Sequence, residues 1–345
     1  MSRNSSFKSL LLRHEMVLVL VIVVEVLLFH FLGNNFLKAN NVSNLFRHSV
    51  EIGLLAMAMT PVILTGGIDL SVGSMMGLCA VLFGMMVNRL GLDPWVAAGG
   101  AVVVGAIGGS INAALITRLN LPPLIVTLGT FSLFRGLAEA LTKGAESYSN
   151  FSPSFLALGN SNLAGLPTQI WVFIAVALFI GLWVHRSTVG RSFRAIGFAP
   201  EGARYAGIPV ARNTSLTYIV AGAIAGLAAG ILVSRLGEAR ANAGIGYELL
   251  AITAVVLGGV SIFGGSGSVC GTLLGWISLA ILNNGLTRIS SYKIFDQPVA
   301  SVARELSGLL TGLLLLSALA IGALTKTLAV RRARQQSPSK TPQTP

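Results

Sequence analysis

Thr65-Gly66-Gly67-Ile68-Asp69-Leu70-Ser71-Val72-Gly73-Ser74 sets three glycines and one carboxylate between two apolar stretches, Val50 to Leu64 and Val72 to Val87. The flanks have the character of membrane spans, and the glycines between them let the backbone leave helical geometry. Irregular backbone at membrane depth is tolerated only against protein or a water-filled cavity, and a charge there costs on the order of 3 kcal/mol unless it finds water or a partner. Asp69 therefore has two readings. It lines a path for a solute or ion, or it bonds its own backbone amides near Ser71 and Gly73 as a cap for the next helix, and the cap is the favoured one.

The rest of the chain agrees with a membrane setting. Of 345 residues, 53% are hydrophobic and only 10% charged, and the mean hydropathy is +0.77, which excludes an ordinary soluble domain. Apolar windows place spans at Val17 to Phe31, Val50 to Leu64, Val72 to Val87, Trp95 to Ile116, Leu124 to Leu141, Ile170 to Val184, Leu216 to Val233, Leu250 to Phe263, Val269 to Leu286 and Val302 to Leu324. The expectation is one all-α polytopic domain of about ten transmembrane helices over residues 16–325, with a cytoplasmic N-terminus (1–15) and a disordered basic tail (326–345). Arg3, Lys8 and Arg13 precede the first apolar run as in a signal peptide, but no small-residue cleavage site follows Phe31, so the run reads as a retained span.

The formal charge of +12 is spread over loops and termini rather than gathered on one face with aromatics, which argues for topology signals and lipid headgroups and against nucleic acid. Arg186, Arg191, Arg194, Arg204 and Arg212 follow the sixth span and Lys326, Arg331, Arg332, Arg334 and Lys340 the last, whereas Ala145 to Gln169 holds Glu146 as its one charge. Both termini are expected in the cytoplasm, with 145–169 outside. The bias is incomplete, since Lys38, Arg47, Arg235, Arg240, Arg288 and Lys293 then fall outside.

The opening stretch has an echo at Leu257 to Ser266, Leu-Gly-Gly-Val-Ser-Ile-Phe-Gly-Gly-Ser. Gly66, Gly67, Gly73 and Ser74 match Gly258, Gly259, Gly265 and Ser266 at a constant offset of 192. Such an offset divides ten spans into two pseudo-symmetric halves of five, and an odd number per half inverts the second. Asp69 has become Ser261 and Ser71 has become Phe263, so only the first copy carries charge.

Other polar groups at depth have structural readings beside functional ones. Glu25 in the first span should face another helix, and Arg135 with Glu139, spaced i, i+4, reads as a self-satisfying pair. Asn112, Thr127, Thr130, Asn283 and Asn284 suit either a hydroxylated solute or interhelical bonding. Cys79 and Cys270 read as packing residues, and His14, His30, His48 and His185 have no zinc-site spacing, so no metal or cofactor is expected. No Ser/His/Asp or G-x-S-x-G arrangement points to catalysis, and the chain reads as a transport subunit rather than an enzyme.

Energy for transport must come from elsewhere. No G-x-x-x-x-G-K-[ST] loop is present, so either a separate subunit hydrolyses ATP or an ion gradient drives the solute; an ion-coupled carrier would usually bury more ionisable groups than Asp69 and Glu25. The stretch Ser187 to Asn213 is too apolar and patterned for a solvated connector. Pro200 and Glu201 can start a short helix and Gly207 with Pro209 can end it, presenting Ala203, Tyr205 and Ala206 to a groove on another protein or folding back on the bundle.

Gly66 to Ser74, Leu257 to Ser268 and Gly190 to Gly207 together resemble the permease subunits of ribose-type carbohydrate importers in the ATP-binding-cassette class, over roughly residues 15 to 325. The resemblance implies two permeases forming the pore, cytoplasmic ATPase subunits, a periplasmic sugar-binding protein and a place in the bacterial inner membrane. It puts ATPase coupling on 186–212, with Arg191, Arg194, Gly197, Glu201, Ala203, Tyr205 and Gly207, and helix breaks or path residues at Gly66, Gly67, Asp69, Ser71, Gly73, Gly258, Gly259 and Gly265. Within the family, Leu232 to Gly244 and Ala251 to Gly267 look most similar to permeases for autoinducer-2, with rhamnose and ribose permeases close.

Overall fold

A computed structural model describes residues 14–289, 293–294, 297–298, 306–314 and 316. The N-terminal charges up to Arg13, most of the tenth apolar stretch and the basic tail lie outside them.

The described chain is almost entirely helical. In order come α1 (His14–Leu32), α2 (Ala39–Leu64), α3 (Val72–Asn88), α4 (Pro94–Thr117), α5 (Pro123–Leu141), a short α6 (Pro153–Asn160) and a minimal hairpin of β1 (Asn162–Leu163) and β2 (Leu166–Pro167). Then follow α7 (Thr168–Arg186), α8 (Thr188–Phe198), α9 (Pro200–Tyr205), α10 (Val210–Leu236), α11 (Tyr247–Leu257) and α12 (Val269–Leu286). A second hairpin, β3 (Lys293–Ile294) with β4 (Gln297–Pro298), precedes α13 (306–314). Among the described residues, α1, α4, α5, α7, α10 and α12 are long and apolar enough to cross a membrane.

Burial sorts the helices into centre and rim. In α2 every residue from Leu54 to Leu64 is buried and in α3 all but the last turns are, so their apolar residues surround the whole helix instead of one stripe. The polar first half of α2, with Asn41, Arg47, His48 and Glu51, keeps it from reading as a uniform apolar span, although it runs through the core. α1, α5 and α7 stand at the rim, where Leu20, Val24, Ile125, Leu128, Leu178 and Leu182 turn outward as a lipid-facing surface would.

The tightest crossing joins α4 to α10. A Cβ on Gly105 would overlap the Gly222 carbonyl and one on Gly222 the Gly105 carbonyl, while Gly109 and Gly226 lie equally close to the carbonyls of Tyr218 and Ala101. Glycines four residues apart on each helix therefore form the contact, and dispersion between backbones replaces side-chain packing. At the rim, Glu25 of α1 accepts from Ser278 Oγ of α12 at 3.0 Å, which gives the first-span acid the helix partner its position requires.

The apolar stretch Leu250 to Phe263 is helical only to Leu257, where Gly258 and Gly259 end α11. The two helix ends close with the same bonds. Gly66 N–H and Gly67 N–H reach the carbonyls of Ile63 and Val62, and Gly259 N–H and Val260 N–H reach those of Val256 and Val255, with φ of +82° at both Gly66 and Gly259. Each is a left-handed helix terminus that glycine occupies without steric cost. Gly66 is thus the conformational counterpart of Gly259 and not of Gly258, because Thr65 takes the capping place that Gly258 fills in the second copy.

Candidate functional site

Past the first helix end the chain runs unwound to Ser71, which precedes α3. Asp69 is buried there, and its Oδ1 accepts from the Ser71 amide at 2.8 Å and the Ser71 hydroxyl at 2.6 Å. Asn112 Nδ2 of α4 donates to Ser71 Oγ at 2.8 Å, and Thr127 Oγ1 of α5 donates to the Ile68 carbonyl at 3.1 Å. The carboxylate is therefore committed to local backbone and two neighbouring helices brace it. Gly73 stays outside this cap. It lies against Gly244, and a Cβ there would collide with the Glu248 carboxylate and the Gly244 carbonyl. Gly67 is small because the Tyr218 hydroxyl stands where its Cβ would be.

The second break is longer and built from turns. Ser261 Oγ accepts from the Phe263 amide at 3.3 Å, the two-residue reach that Asp69 uses, and the Ser261 amide bonds the Ser266 carbonyl at 2.9 Å. Gly264 and Gly265 have φ of +81° and +80°. Ser268 Oγ then caps α12 through the Gly271 amide at 2.9 Å, and Gly258 packs on Gly271 with no room for a Cβ on either.

The third motif closes on both breaks. Ser187 Oγ caps α8 through the Gly190 amide at 2.9 Å, and Phe193 and Ile196 bury one face of that helix against the bundle. Its penultimate residue, Gly197, lies directly on the hydrogen bond by which Gly265 N–H meets the Leu64 carbonyl at 2.9 Å, so a Cβ on Gly197 would overlap both atoms. Gly264 in turn touches the Gly197 Cα and the Gly66 amide. Three segments separated by about 130 and about 70 positions in the sequence meet within one van der Waals contact.

Beyond this junction α9 begins at Pro200 and ends before Gly207, whose φ is +77°. Arg191, Glu201, Arg204 and Tyr205 face out, with Phe198 86% and Tyr205 89% exposed. Ala203, expected on the presenting face, is buried instead and its carbonyl accepts from the Ile208 amide, so it belongs to the hinge between α9 and α10. Arg194 donates to the Val184 carbonyl at 3.3 Å and reaches His185, pinning α8 to the end of α7.

The expected Arg135 to Glu139 pair does not form among the described residues. Arg135 instead donates to the carbonyls of Ala241, Ala243 (3.1 Å) and Gly73 (3.5 Å), holding the irregular segment 237–246 against α3. Sequence spacing favours the i, i+4 partner, but unpaired carbonyls at depth need a donor more. Thr130 bonds its own helix at Val126, Asn283 the Leu279 carbonyl, and Asn284 pairs with Asn41. The buried pair of Arg235 Nε with Glu51 Oε1 at 2.8 Å has no signal in the sequence pattern, since the two lie 184 positions apart.

Two helix breaks thus meet under the end of α8, and among the described residues no constellation for bond chemistry stands beside them. Residues 41–319 match the family model described as branched-chain amino acid transport system / permease component, and the chain belongs to that family. Over 309 residues it is 39% identical to the autoinducer 2 import system permease protein LsrD of Photorhabdus laumondii, covering 88% of this chain and 89% of the relative. It is also 39% identical over 282 residues to the LsrD protein of Yersinia pseudotuberculosis serotype O:3, covering 80% and 84%.

Proposed function

We propose that the chain is the membrane permease subunit of an ATP-binding-cassette importer and forms, with a second permease, the path for autoinducer-2 or a related small sugar such as rhamnose or ribose. It has ten spans in two halves of five, residues 16–325 forming the permease domain, and sits in the inner membrane with both termini in the cytoplasm. The ATPase subunit docks on 186–212 through Phe198, Glu201, Arg204 and Tyr205, and a periplasmic sugar-binding protein delivers the solute at the other face.

The observation that carries this reading is the seat of Gly197 on the bond between Leu64 and Gly265. A subunit pulling on α9 moves α8, and α8 has no slack against either break, so closure of the ATPases becomes a change in pore access. Three acids at depth are committed within the protein, Asp69 to Ser71, Glu25 to Ser278 and Glu51 to Arg235, which speaks against the ion-coupled alternative. The choice of substrate follows the similarity to autoinducer 2 import permeases.

The test is uptake in vesicles containing the permease, its ATPase and its binding protein, with autoinducer-2, ribose, rhamnose and leucine offered in turn. ATP-dependent uptake of autoinducer-2 above the others is expected. Uptake that survives loss of the ATPase and collapses with a protonophore would overturn the class, and preference for leucine would overturn the substrate.

A further inference from the structure

At the end of the bundle away from α8 and α9, helices α2, α11 and α12 enclose a cavity of about 420 Å³, within the ~300–1,000 Å³ range of small-molecule sites. One wall is Trp276, and Asn283 and Asn284 stand on the same helix one to two turns further on. Facing them are Asn44 and His48 of α2, and Arg288 closes the far side.

The wall residues are held from behind. Trp276 Nε1 donates to the Ser49 carbonyl at 2.8 Å and its ring packs on Phe173 with centroids 4.3 Å apart. Asn284 exchanges amide bonds with Asn41, and Asn283 donates to the Leu279 carbonyl at 2.8 Å and accepts from Ser307. His48 Nδ1 lies 3.0 Å from Arg235, whose Nε is taken by the fully buried Glu51. Such a frame fixes the orientation of whatever points inward. What remains uncommitted is the polar rim. The Arg288 Nε is buried with no partner, and Asn44 and His48 are exposed residues of the cavity lining.

We propose that this cavity is a holding site, inside a single subunit, for a small uncharged polyhydroxylated solute such as a furanose. The inference rests on the reading of the chain as a sugar permease and adds where the sugar pauses. Hydroxyls both donate and accept, and the Asn44 amide answers them in both senses. Arg288 supplies donors alone, and Leu45, Ile52 and Leu250 with the edge of Trp276 supply the apolar wall that the C–H side of a sugar ring needs. An anion would use Arg288 and His48 and leave the Asn44 amide idle. A rim of a few hydrogen bonds with a rigid frame binds weakly enough to release, as a path requires.

The test uses the assembled transporter without its binding protein, carrying Trp95→Phe, Trp171→Phe and Trp183→Phe so that Trp276 is the one tryptophan of this chain, and reads the signal against the same transporter with Trp276→Phe. Ribose and autoinducer-2 should each shift its fluorescence saturably, and Arg288→Leu or Asn44→Leu should raise the half-saturating concentration about tenfold, the effect of losing one hydrogen bond in a site. In uptake with the binding protein present, the same two variants should lose rate at low solute while ATPase association is unchanged. No saturable shift, or a larger one with ribose 5-phosphate than with ribose, would overturn the site. If the parent transporter carries no sugar at all, it is the permease reading that fails, whereas normal uptake by both rim variants removes only the holding site.

Discussion

The backbone amide of Gly265 donates to the carbonyl of Leu64 across 2.9 Å, joining the end of α2 to the turn that precedes α12. A carbonyl in the last turn of a helix lacks its intrahelical partner, and here a second broken segment supplies it. The contact stays open only because position 197 has no side chain.

Gly197→Ala therefore tests the junction directly. The added methyl meets backbone on both sides, which cannot swing away, and overpacking of this kind costs about 1–3 kcal/mol. Uptake should fall by more than tenfold while the ATPase still co-purifies. Gly202→Ala, whose Cβ would meet only Ala199 at 3.5 Å, should transport normally.

Tyr205→Asp should abolish association with the ATPase without lowering the melting temperature of the isolated permease, because the ring is 89% exposed. Ala203→Asp, buried beside the Ile208 amide, should lower that temperature as well, and Gly207→Trp should strain a residue whose φ is +77°. Co-purification and melting measured on the same three variants separate docking from folding.

Asp69→Ala removes the acceptor for the Ser71 amide and hydroxyl and should cost about 1–2 kcal/mol, a helix cap's worth. Asp69→Asn keeps an acceptor oxygen and should be milder. Both should slow transport of every solute alike, and competition assays that reveal a changed preference would instead make Asp69 a solute contact.

Arg235→Met strands Glu51 without its cation in a fully buried position, a change worth about 3–5 kcal/mol. Adding Glu51→Leu should restore much of the loss. Thermal unfolding of the two single variants and the double variant gives the coupling between them.

Gly222→Ala should prevent accumulation of folded protein, since its Cβ would overlap the Gly105 carbonyl, whereas Gly99→Ala on the same α4 points into open space and should be silent. Expression and gel-filtration profiles distinguish the two.

What could be read from the sequence was local. Helices follow the apolar stretches from Val17 to Leu286, α9 starts at Pro200 as its cap chemistry requires, and Asp69 reaches the amide two residues on. What could not be read was contact between distant positions. Arg135 finds carbonyls more than 100 residues away, and Arg235 finds Glu51 at a separation of 184, for which spacing on one helix offers no signal. The echo was visible as matched glycines, yet its helix ends align one residue later, because identity of residue type does not fix which glycine takes the left-handed position.

Phe198 ends α8 and Tyr205 ends α9, and their two aromatic rings are 86% and 89% bare. In a finished transporter a partner covers them, and in an orphan chain nothing does. Chaperones and membrane proteases recognise uncovered aromatic surface of this kind. If the ATPase docks on 186–212 as proposed, that segment doubles as a tally of assembly: a permease made in excess of its ATPase advertises its own surplus, and cells that stop making the ATPase should see the permease disappear soon after.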